Sequence, residues 1–228
     1  GEICKKNNVL FFVDACQTFG KLEIDINKMN IDLLATTAHK LYGPKGVGFL
    51  YVRQKNPKVN IEMQIDGGGH EKGLRSGTLP VPLIVGFGRA AEISLKKRES
   101  EYNILKNLRD SLFRGIKNQQ PDVIVNGNIK SGLSHNLNLC FPGLDSESLI
   151  MKMKGIACSA GSACSSANLE PSHVIKALGR NNELALSAIR FSVGRFNTIE
   201  EIDSAIIEIN SVVKRIKSSK QKRRRTKF

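Results

Sequence analysis

The sequence has no apolar run of 18 residues, no CxxC pair and no internal repeat. The first absence argues against a membrane-spanning helix. The cysteines are odd in number, at Cys4, Cys16, Cys140, Cys158 and Cys164. This pattern argues against a disulfide framework or a structural zinc site and favours a reducing compartment. We therefore expect a cytoplasmic protein with no membrane segment and no metal site of its own.

The start of the chain lacks a methionine and a signal-like apolar segment. Gly1 leads directly into GEICKKNNVLFFVDACQ, so we expect that the beginning of a longer protein is missing. Because a targeting segment would lie in that missing part, a mitochondrial location remains an alternative to the cytoplasmic one.

Acidic residues are absent from Lys214 to Phe228, a segment with nine basic residues. The whole chain carries a net charge of +14. Without those nine residues, 26 basic residues remain against 21 acidic ones, so the rest of the chain carries only +5. The segment is typical of a solvated, disordered tail, with weak contact to nucleic acid or anionic lipid as the alternative.

Apolar runs separated by turns and helical segments predict an α/β fold. The apolar fraction of 40% and the charged fraction of 25% are those of a globular protein. Strands are expected at 9–13, 31–35, 47–52, 123–125, 136–141, 156–159 and 188–193, and helices at 82–118, 146–154, 172–178 and 198–216. Charge interrupts the long helical pattern at 96–100. We predict an α/β part over 1–94, a smaller α+β domain over 95–216 and a basic tail over 217–228.

Polar side chains follow the first two predicted strands. Asp14 ends the first strand and Gln17 comes three residues later, where open α/β sheets bind ligands. Asp14 can pair with a protonated ring nitrogen of a cofactor, and a turn or helix cap is the alternative. Thr37, His39 and Lys40 follow the second strand. A lysine there can form a Schiff base with an aldehyde cofactor, and a surface His-Lys pair is the alternative.

Three further segments carry candidate chemistry. The Gly-rich loop at 67–78 can present backbone N–H groups to phosphate, with a flexible surface loop as the alternative. Small residues around Cys164 favour an exposed thiol, whereas Cys158 ends a strand-like run and is expected to be buried. Arg190 lies in an apolar strand, where its partner is either a substrate carboxylate or an internal carboxylate.

Together these segments resemble the cysteine desulfurases of iron–sulfur cluster assembly, which are pyridoxal 5'-phosphate (PLP) enzymes of the class V aminotransferase group. The motifs VDACQTFGK, AHKLYGPKGVGFLYVR, GGGHEKGLRSGTL, SAGSACSSANLEPSHVIKALG and AIRFSVGR occur in family order. The resemblance extends to about residue 216. It implies an aspartate aminotransferase-like fold, in which 1–94 is the C-terminal part of the PLP-binding large domain. Residues 95–216 would form the small domain with the cysteine loop.

The resemblance also implies the residues that bind the cofactor. Lys40 would bind the PLP aldehyde, with His39 beside it taking part in catalysis. Asp14 would pair with the ring nitrogen and Gln17 with the ring hydroxyl. Thr37 and His39 would bind the phosphate.

Other implied roles concern the substrate and the partner subunit. Thr78 would reach the phosphate of the neighbouring subunit's cofactor in a homodimer. Arg190 would hold the carboxylate of L-cysteine. Cys164 would attack the substrate sulfur and become a persulfide, leaving L-alanine. The sulfur would pass to an iron–sulfur scaffold or another acceptor protein, with at most a transient iron–sulfur contact through Cys164.

Two departures from the family pattern leave alternatives open. The first half of the family's sequence is absent here. With it are absent a histidine that stacks on PLP, an asparagine near the ring hydroxyl and a Gly-Thr turn that binds the phosphate. The C-terminal extension that docks a scaffold is replaced by SSKQKRRRTKF. The alternatives to an active desulfurase are an inactive remnant, one half of a split enzyme, or a lyase acting on selenocysteine.

Overall fold

A computed structural model describes residues 1–160 and 171–225, with side chains described as far as residue 220. The chain divides into two compact units, Gly1–Glu99 and Ser100–Phe228. This division lies at the charged stretch 96–100, a few residues after the predicted boundary at 94. Within the described residues, no helix is both long enough and apolar enough to cross a membrane.

The first unit is built on a three-stranded sheet. Strand β1 (Phe12–Asp14) is parallel to β2 (Leu33–Thr37), and β2 is antiparallel to β3 (Gly48–Val52), in the order β1-β2-β3. A short helix α1 (Glu2–Lys6) precedes the sheet, and the long helix α2 (Val81–Gln119) follows it. The strand predicted at 9–13 begins later, because ladder pairing with β2 starts only at Phe12.

One face of this sheet is covered by the unit's own apolar side chains. Val13 and Leu34 pack with Ala15 and Ile31 on that face. The rings of three phenylalanines meet beside them, with centroids 5.3–6.3 Å apart, at Phe19, Phe49 and Phe87. Since Phe87 lies on α2, these contacts attach the first part of that helix to the sheet.

A buried ion pair joins all three strands at the end of the sheet opposite to the carboxyl ends of β1 and β2. Asp32 accepts a hydrogen bond from the Phe11 backbone N–H at 2.9 Å, and its other carboxylate oxygen lies 3.2 Å from Nε of Arg53. Arg53 also donates to the carbonyl oxygens of Ile26 and Ile31. Because every polar group has a partner, the pair is compatible with burial.

The second unit is an antiparallel sheet packed against helices. Its strands are β4 (Ile124–Val125), β5 (Asn136–Cys140) and β6 (Ala188–Ser192), in the order β4-β5-β6. Its helices are the end of α2 together with α3 (Ser146–Lys152), α4 (His173–Ala177), α5 (Asn182–Leu186) and α6 (Ile199–Arg225). The core joins Leu112 and Ile116 of α2, Leu139 and Ile189 of the sheet, and Ile209 of α6.

The last helix is longer than the sequence predicts. The sequence predicts that helix α6 ends near Ile216 and that a disordered tail starts at 217, but the helix continues to Arg225. Lys217 pairs with Asp122 at 2.8 Å and Lys220 donates to the Gly143 carbonyl oxygen at 2.8 Å. Lysine, arginine and glutamine are good helix formers, and neither glycine nor proline interrupts the segment. Residues 226–228 lie outside the described part of the chain.

We expect Gly115→Val to destabilise the second unit. A Cβ at Gly115 would lie 2.5–2.8 Å from three side-chain carbons of Ile206, so α2 and α6 must separate or Ile206 must move. Such overpacking lowers the free energy of unfolding by about 1–3 kcal/mol. Chemical denaturation measures the change. Gly88→Val is the control, because nothing beyond its chain neighbours and the backbone of its own helix lies within 4 Å of its Cβ position. Equal effects of the two substitutions would contradict the prediction.

Candidate active site

The parallel pairing of β1 and β2 brings two polar residues to one edge of the first sheet. Asp14 is level with Ala35 in the ladder, and the Ala15 N–H donates to the Ala35 carbonyl oxygen at 2.8 Å. Thr37 lies two residues beyond Ala35, so its side chain is on the same face as that of Asp14. The carboxyl ends of parallel strands are where α/β sheets bind ligands.

A single 3₁₀ turn, Ala38–Leu41, carries the next two candidates. Ala38 and Leu41 are buried and pack against Phe87, whereas His39 and Lys40 are exposed. The Ala38 N–H donates to the Val47 carbonyl oxygen at 3.1 Å, which fixes the start of the turn. The buried apolar residues therefore anchor the turn, and the imidazole of His39 and the amine of Lys40 are exposed at the same end of the sheet as Asp14.

Thr37 and His39 form a hydroxyl–imidazole pair. The Thr37 Oγ1 lies 2.8 Å from Nδ1 of His39 and 3.3 Å from the Val47 carbonyl oxygen. Because a hydroxyl has one hydrogen, Oγ1 donates either to Val47 or to Nδ1 of His39. When it donates to Nδ1, Nε2 of His39 carries the hydrogen and can donate it to an anionic ligand.

Asp14 is held as an anion by Cys16. The Cys16 thiol and backbone N–H both hydrogen-bond the carboxylate, the latter at 2.9 Å, and these bonds lower the pKa of Asp14. Burial and the Asp14 charge raise the pKa of the Cys16 thiol, while the positive charge of Lys40 opposes that change. Cys16 therefore lies within electrostatic reach of both Asp14 and Lys40.

Lys21 is a residue that the sequence reasoning missed. Burial and the charge of Lys40 lower its pKa. Its turn is brought there by Gly20, whose φ of +74° and close approach to Leu41 leave no room for a side chain. No carboxylate among the described residues pairs with Lys21. The sequence around it gives no pattern that would have revealed this position, because the contact depends on the packing of two turns.

Gln17 and Thr78 are both exposed, in separate loops of the first unit. Gln17 lies in the turn after β1, where the Phe19 N–H donates to the Ala15 carbonyl oxygen at 2.8 Å. Thr78 follows the Gly-rich loop. Several N–H groups of that loop are used internally. Among them, the Gly69 N–H donates to Ser76 Oγ at 3.2 Å and the Gly77 N–H donates to His70 Nδ1 at 3.3 Å. These two are not free for a phosphate in this conformation.

The second unit carries the other two candidates. Arg190 lies in the middle of β6, and its backbone bridges to that of Ser159. Its side chain is exposed, and no carboxylate among the described residues forms an ion pair with it. Within the described residues the guanidinium is therefore not committed to an internal salt bridge, and an external anion can reach it. Cys164 lies outside the described residues, so its position as the nucleophile stays a prediction.

Cys158 is a poor nucleophile in this structure. Its thiol is half-buried, and burial followed by the negative charge of Glu208 raises its pKa to about 11. Glu208 is placed there by α6 and accepts a hydrogen bond from the Gly155 N–H at 3.1 Å. Because the thiolate is the reactive form, very little of Cys158 is reactive at neutral pH.

Comparison with known proteins identifies the family of this arrangement. The aminotransferase class-V model matches residues 1–204. The chain is 52% identical over 217 residues to the cysteine desulfurase IscS of Photorhabdus laumondii, covering 95% of this chain and 53% of that protein. It is 54% identical over 206 residues to the cysteine desulfurase IscS of Tolumonas auensis, covering 90% and 50%. A NifS-like protein from Rickettsia africae superimposes with a TM-score of 0.82 at 28% identity, over 92% of this chain and 55% of that one.

The chain belongs to the aminotransferase class-V family. It spans about half the length of the curated relatives it matches. The predicted fold class is confirmed, since the neighbouring solved structures share this mixed α/β arrangement. The cysteine desulfurases of this family are PLP-dependent.

The residues at the edge of the first sheet fit such a cofactor. Asp14 is a stable anion suited to a protonated ring nitrogen, and Lys40 presents an amine suited to an aldehyde. Thr37 and His39 offer hydrogen-bonding groups at the start of the 3₁₀ turn, and Lys21 adds a positive charge nearby. This combination of donors and charges matches an anionic, aldehyde-bearing pyridine.

We expect Glu208→Gln to make Cys158 more reactive. Removing the negative charge lowers the thiol pKa from about 11, while burial keeps it above the ordinary value. The pH dependence of iodoacetamide alkylation at Cys158, followed by mass spectrometry, should shift to lower pH. Asp203→Asn removes a charge from the same helix and should leave the profile unchanged. A midpoint near 8.5 in the unmodified chain would contradict the assignment.

Proposed function

We propose that this chain is the part of a PLP-dependent cysteine desulfurase that carries the cofactor-binding lysine and the cysteine that becomes a persulfide. The observation that carries the proposal is the convergence of Asp14, Thr37 and Lys40 at the carboxyl ends of β1 and β2. The relatives named as cysteine desulfurases support the choice of reaction. In this reaction a protein thiol and L-cysteine give a protein persulfide and L-alanine, so sulfur is transferred without an external oxidant or reductant.

Each candidate site residue of the first unit has a separate role in binding PLP. Lys40 would bind the aldehyde, Asp14 would pair with the ring nitrogen and Gln17 with the ring hydroxyl, while Thr37 and His39 would bind the phosphate. When bound, PLP supplies an aldehyde that condenses with amines, and a cationic ring that withdraws electrons from the carbon bearing the condensed amine. Because hydrogen bonds from Cys16 lower its pKa, Asp14 is ionised at neutral pH.

The second unit supplies the substrate contacts. The exposed guanidinium of Arg190 binds the carboxylate of L-cysteine, for which a bidentate geometry suits arginine. Cys164 receives the sulfur. The high pKa of Cys158 supports Cys164 as the nucleophile, because Cys158 would have to lose a proton that burial and Glu208 retain.

The partners follow from this reaction. The persulfide passes its sulfur to an iron–sulfur scaffold or another acceptor protein, with only a transient iron–sulfur contact through Cys164. The working unit is a homodimer in which Thr78 reaches the phosphate of the neighbouring subunit's PLP. The free cysteines of the described residues, Cys4, Cys16, Cys140 and Cys158, support a reducing compartment such as the cytoplasm.

We expect PLP to be fixed by borohydride at Lys40. Only an amine can condense with the aldehyde, so Lys40→Ala should abolish the labelled peptide, whereas Lys45→Ala should retain it. Peptide mapping of the chain gives the labelled site. The same mapping is done on the chain extended at Gly1 by the unmatched part of the Photorhabdus laumondii relative. A label on another lysine, or the absence of any label in both proteins, would contradict the proposal.

We expect sulfur from L-cysteine to appear on Cys164. In the extended protein, Cys164→Ser should bind PLP normally but release no sulfide and carry no persulfide. Cys158→Ser should retain most activity, because that thiol stays protonated. Mass spectrometry after one turnover locates the added sulfur atom. Its appearance on Cys158, or turnover restricted to selenocysteine, would contradict the assignment.

A further inference from the structure

A polar cleft lies between the end of α2 and the second half of α6, within the second unit. Its volume is about 460 Å³, which is within the range of small-molecule sites. Every side chain that lines the cleft is polar, and none is a carboxylate: Gln119, Gln120, Asn210, Lys214, Lys217 and Ser218. Lysines and amides without an acid suit an anion that also forms hydrogen bonds.

Asn210 has a buried oxygen that no group of the described residues satisfies. The residue is only 4% exposed, and its Nδ2 donates to the carbonyl oxygens of Gly115 at 3.2 Å and Ile206 at 2.9 Å. Because both partners are acceptors, the amide has to present its nitrogen to them. Its Oδ1 has no hydrogen-bond partner among the described residues. Such atoms are rare in folded proteins, and in a residue that lines a cleft a bound donor explains one.

The row of side chains that continues along α6 from Asn210 supplies a cation and a hydroxyl. Lys214 and Ser218 follow at intervals of four residues, so the three side chains share one face of the helix at steps of about 6 Å. Lys214 and Ser218 are exposed, and no side-chain hydrogen bond or ion pair commits either of them to another described residue. Both are therefore available to a ligand in the cleft.

Two further lining residues, Lys217 and Gln120, are hydrogen-bonded to each other. Lys217 Nζ donates to Gln120 Oε1 at 3.0 Å and lies 2.8 Å from a carboxylate oxygen of Asp122. The first contact leaves Nε2 of Gln120 as a donor, and the second neutralises the neighbouring acid. Because 214–225 contains eight basic residues and no acidic one, the electrostatic potential at this end of α6 favours an anion.

These donors indicate a phosphate rather than a carboxylate. They come singly, from a lysine, a hydroxyl and an amide, and not as the planar fork with which arginine pairs with a carboxylate. A phosphate ester has three oxygens that accept separately. The unpaired oxygen of Asn210 additionally requires a ligand that donates a hydrogen bond. A phosphorylated ribose combines both properties, since its hydroxyls lie a short distance from the phosphate.

We propose that this cleft binds a phosphorylated ribose. Lys214, Ser218 and Nε2 of Gln120 bind the phosphate, and a ribose hydroxyl donates to Oδ1 of Asn210. The ribose phosphate belongs either to a free sugar phosphate or to an RNA chain, because both present the same chemistry. The site uses none of the residues assigned to the desulfurase reaction, so the inference does not depend on the proposed function.

Titration calorimetry on the full chain tests the proposal with two probes of equal charge. Methyl riboside 5-phosphate has hydroxyls and no reactive aldehyde, whereas methyl phosphate has no hydroxyl that corresponds to those of the ribose. The riboside phosphate should bind about fivefold or more tightly, because only its ribose can donate to Asn210. Lys214→Gln should weaken both probes about tenfold. Arg215→Gln removes an equal charge from the next position and should change neither affinity more than about twofold.

Asn210→Leu separates the hydroxyl contact from the charge. It replaces the unpaired amide with an apolar side chain and should reduce the affinity for the riboside phosphate to that for methyl phosphate. Chemical denaturation checks that this variant is folded, and Lys214→Gln, at an exposed position, keeps the test valid if it is not. Equal affinities of the two probes, no binding of either at millimolar concentration, or equal effects of Lys214→Gln and Arg215→Gln would overturn the proposal.

A short oligouridylate RNA and the DNA of the same sequence distinguish the two sources of the ligand. A preference for RNA that Lys214→Gln and Asn210→Leu both remove identifies an RNA chain, because only RNA carries the 2′-hydroxyl. Binding of the riboside phosphate without a preference for RNA identifies a free sugar phosphate.

Discussion

The parallel pairing of β1 with β2 is the constraint on which the candidate site depends. It places Asp14 level with Ala35 and on the face that Thr37 shares. Because side chains alternate along a strand, a slip of one residue would move Asp14 to the opposite face, against the apolar cluster around Leu34. The site therefore exists only in one register.

That register is fixed at the other end of the sheet. Asp32 accepts the Phe11 N–H, lies beside Arg53, and receives the Arg53 N–H on its carbonyl oxygen at 2.9 Å. A single buried acid thus connects the start of β1, the start of β2 and the end of β3. The structural ion pair and the candidate site residues occupy opposite ends of the same short sheet, so the ion pair does not use the polar groups of the candidate site.

The two units contribute different chemistry. The first unit supplies charges of both signs near each other: the Asp14 carboxylate with a lowered pKa, the Lys40 amine and the half-buried Lys21. The second unit supplies an exposed guanidinium at Arg190 and restrains the competing thiol of Cys158 by burial and Glu208.

The sequence by itself determined the α/β class, the strand-end positions of Asp14 and Lys40, and the family. An apolar run followed by polar residues predicts a strand and its end reliably, because local backbone preference and burial both favour a strand there. The start of β1 depends on where its pairing with β2 begins. The continuation of α6 past Ile216 is accompanied by tertiary contacts of Lys217 and Lys220. The five-residue helices α1 and α5 are absent from the sequence prediction, whereas α4, of the same length, is predicted because Gly179 marks its end.

Only the tertiary structure decided the electrostatics of the site. The proximity of Lys21 to Lys40 results from the packing of Gly20 against Leu41, two positions far apart in sequence. The exposure of Arg190 depends on which face of β6 the helices cover, and the high pKa of Cys158 depends on Glu208, 50 residues later. A sequence specifies which groups can ionise, but their charges depend on neighbours and burial that exist only after folding.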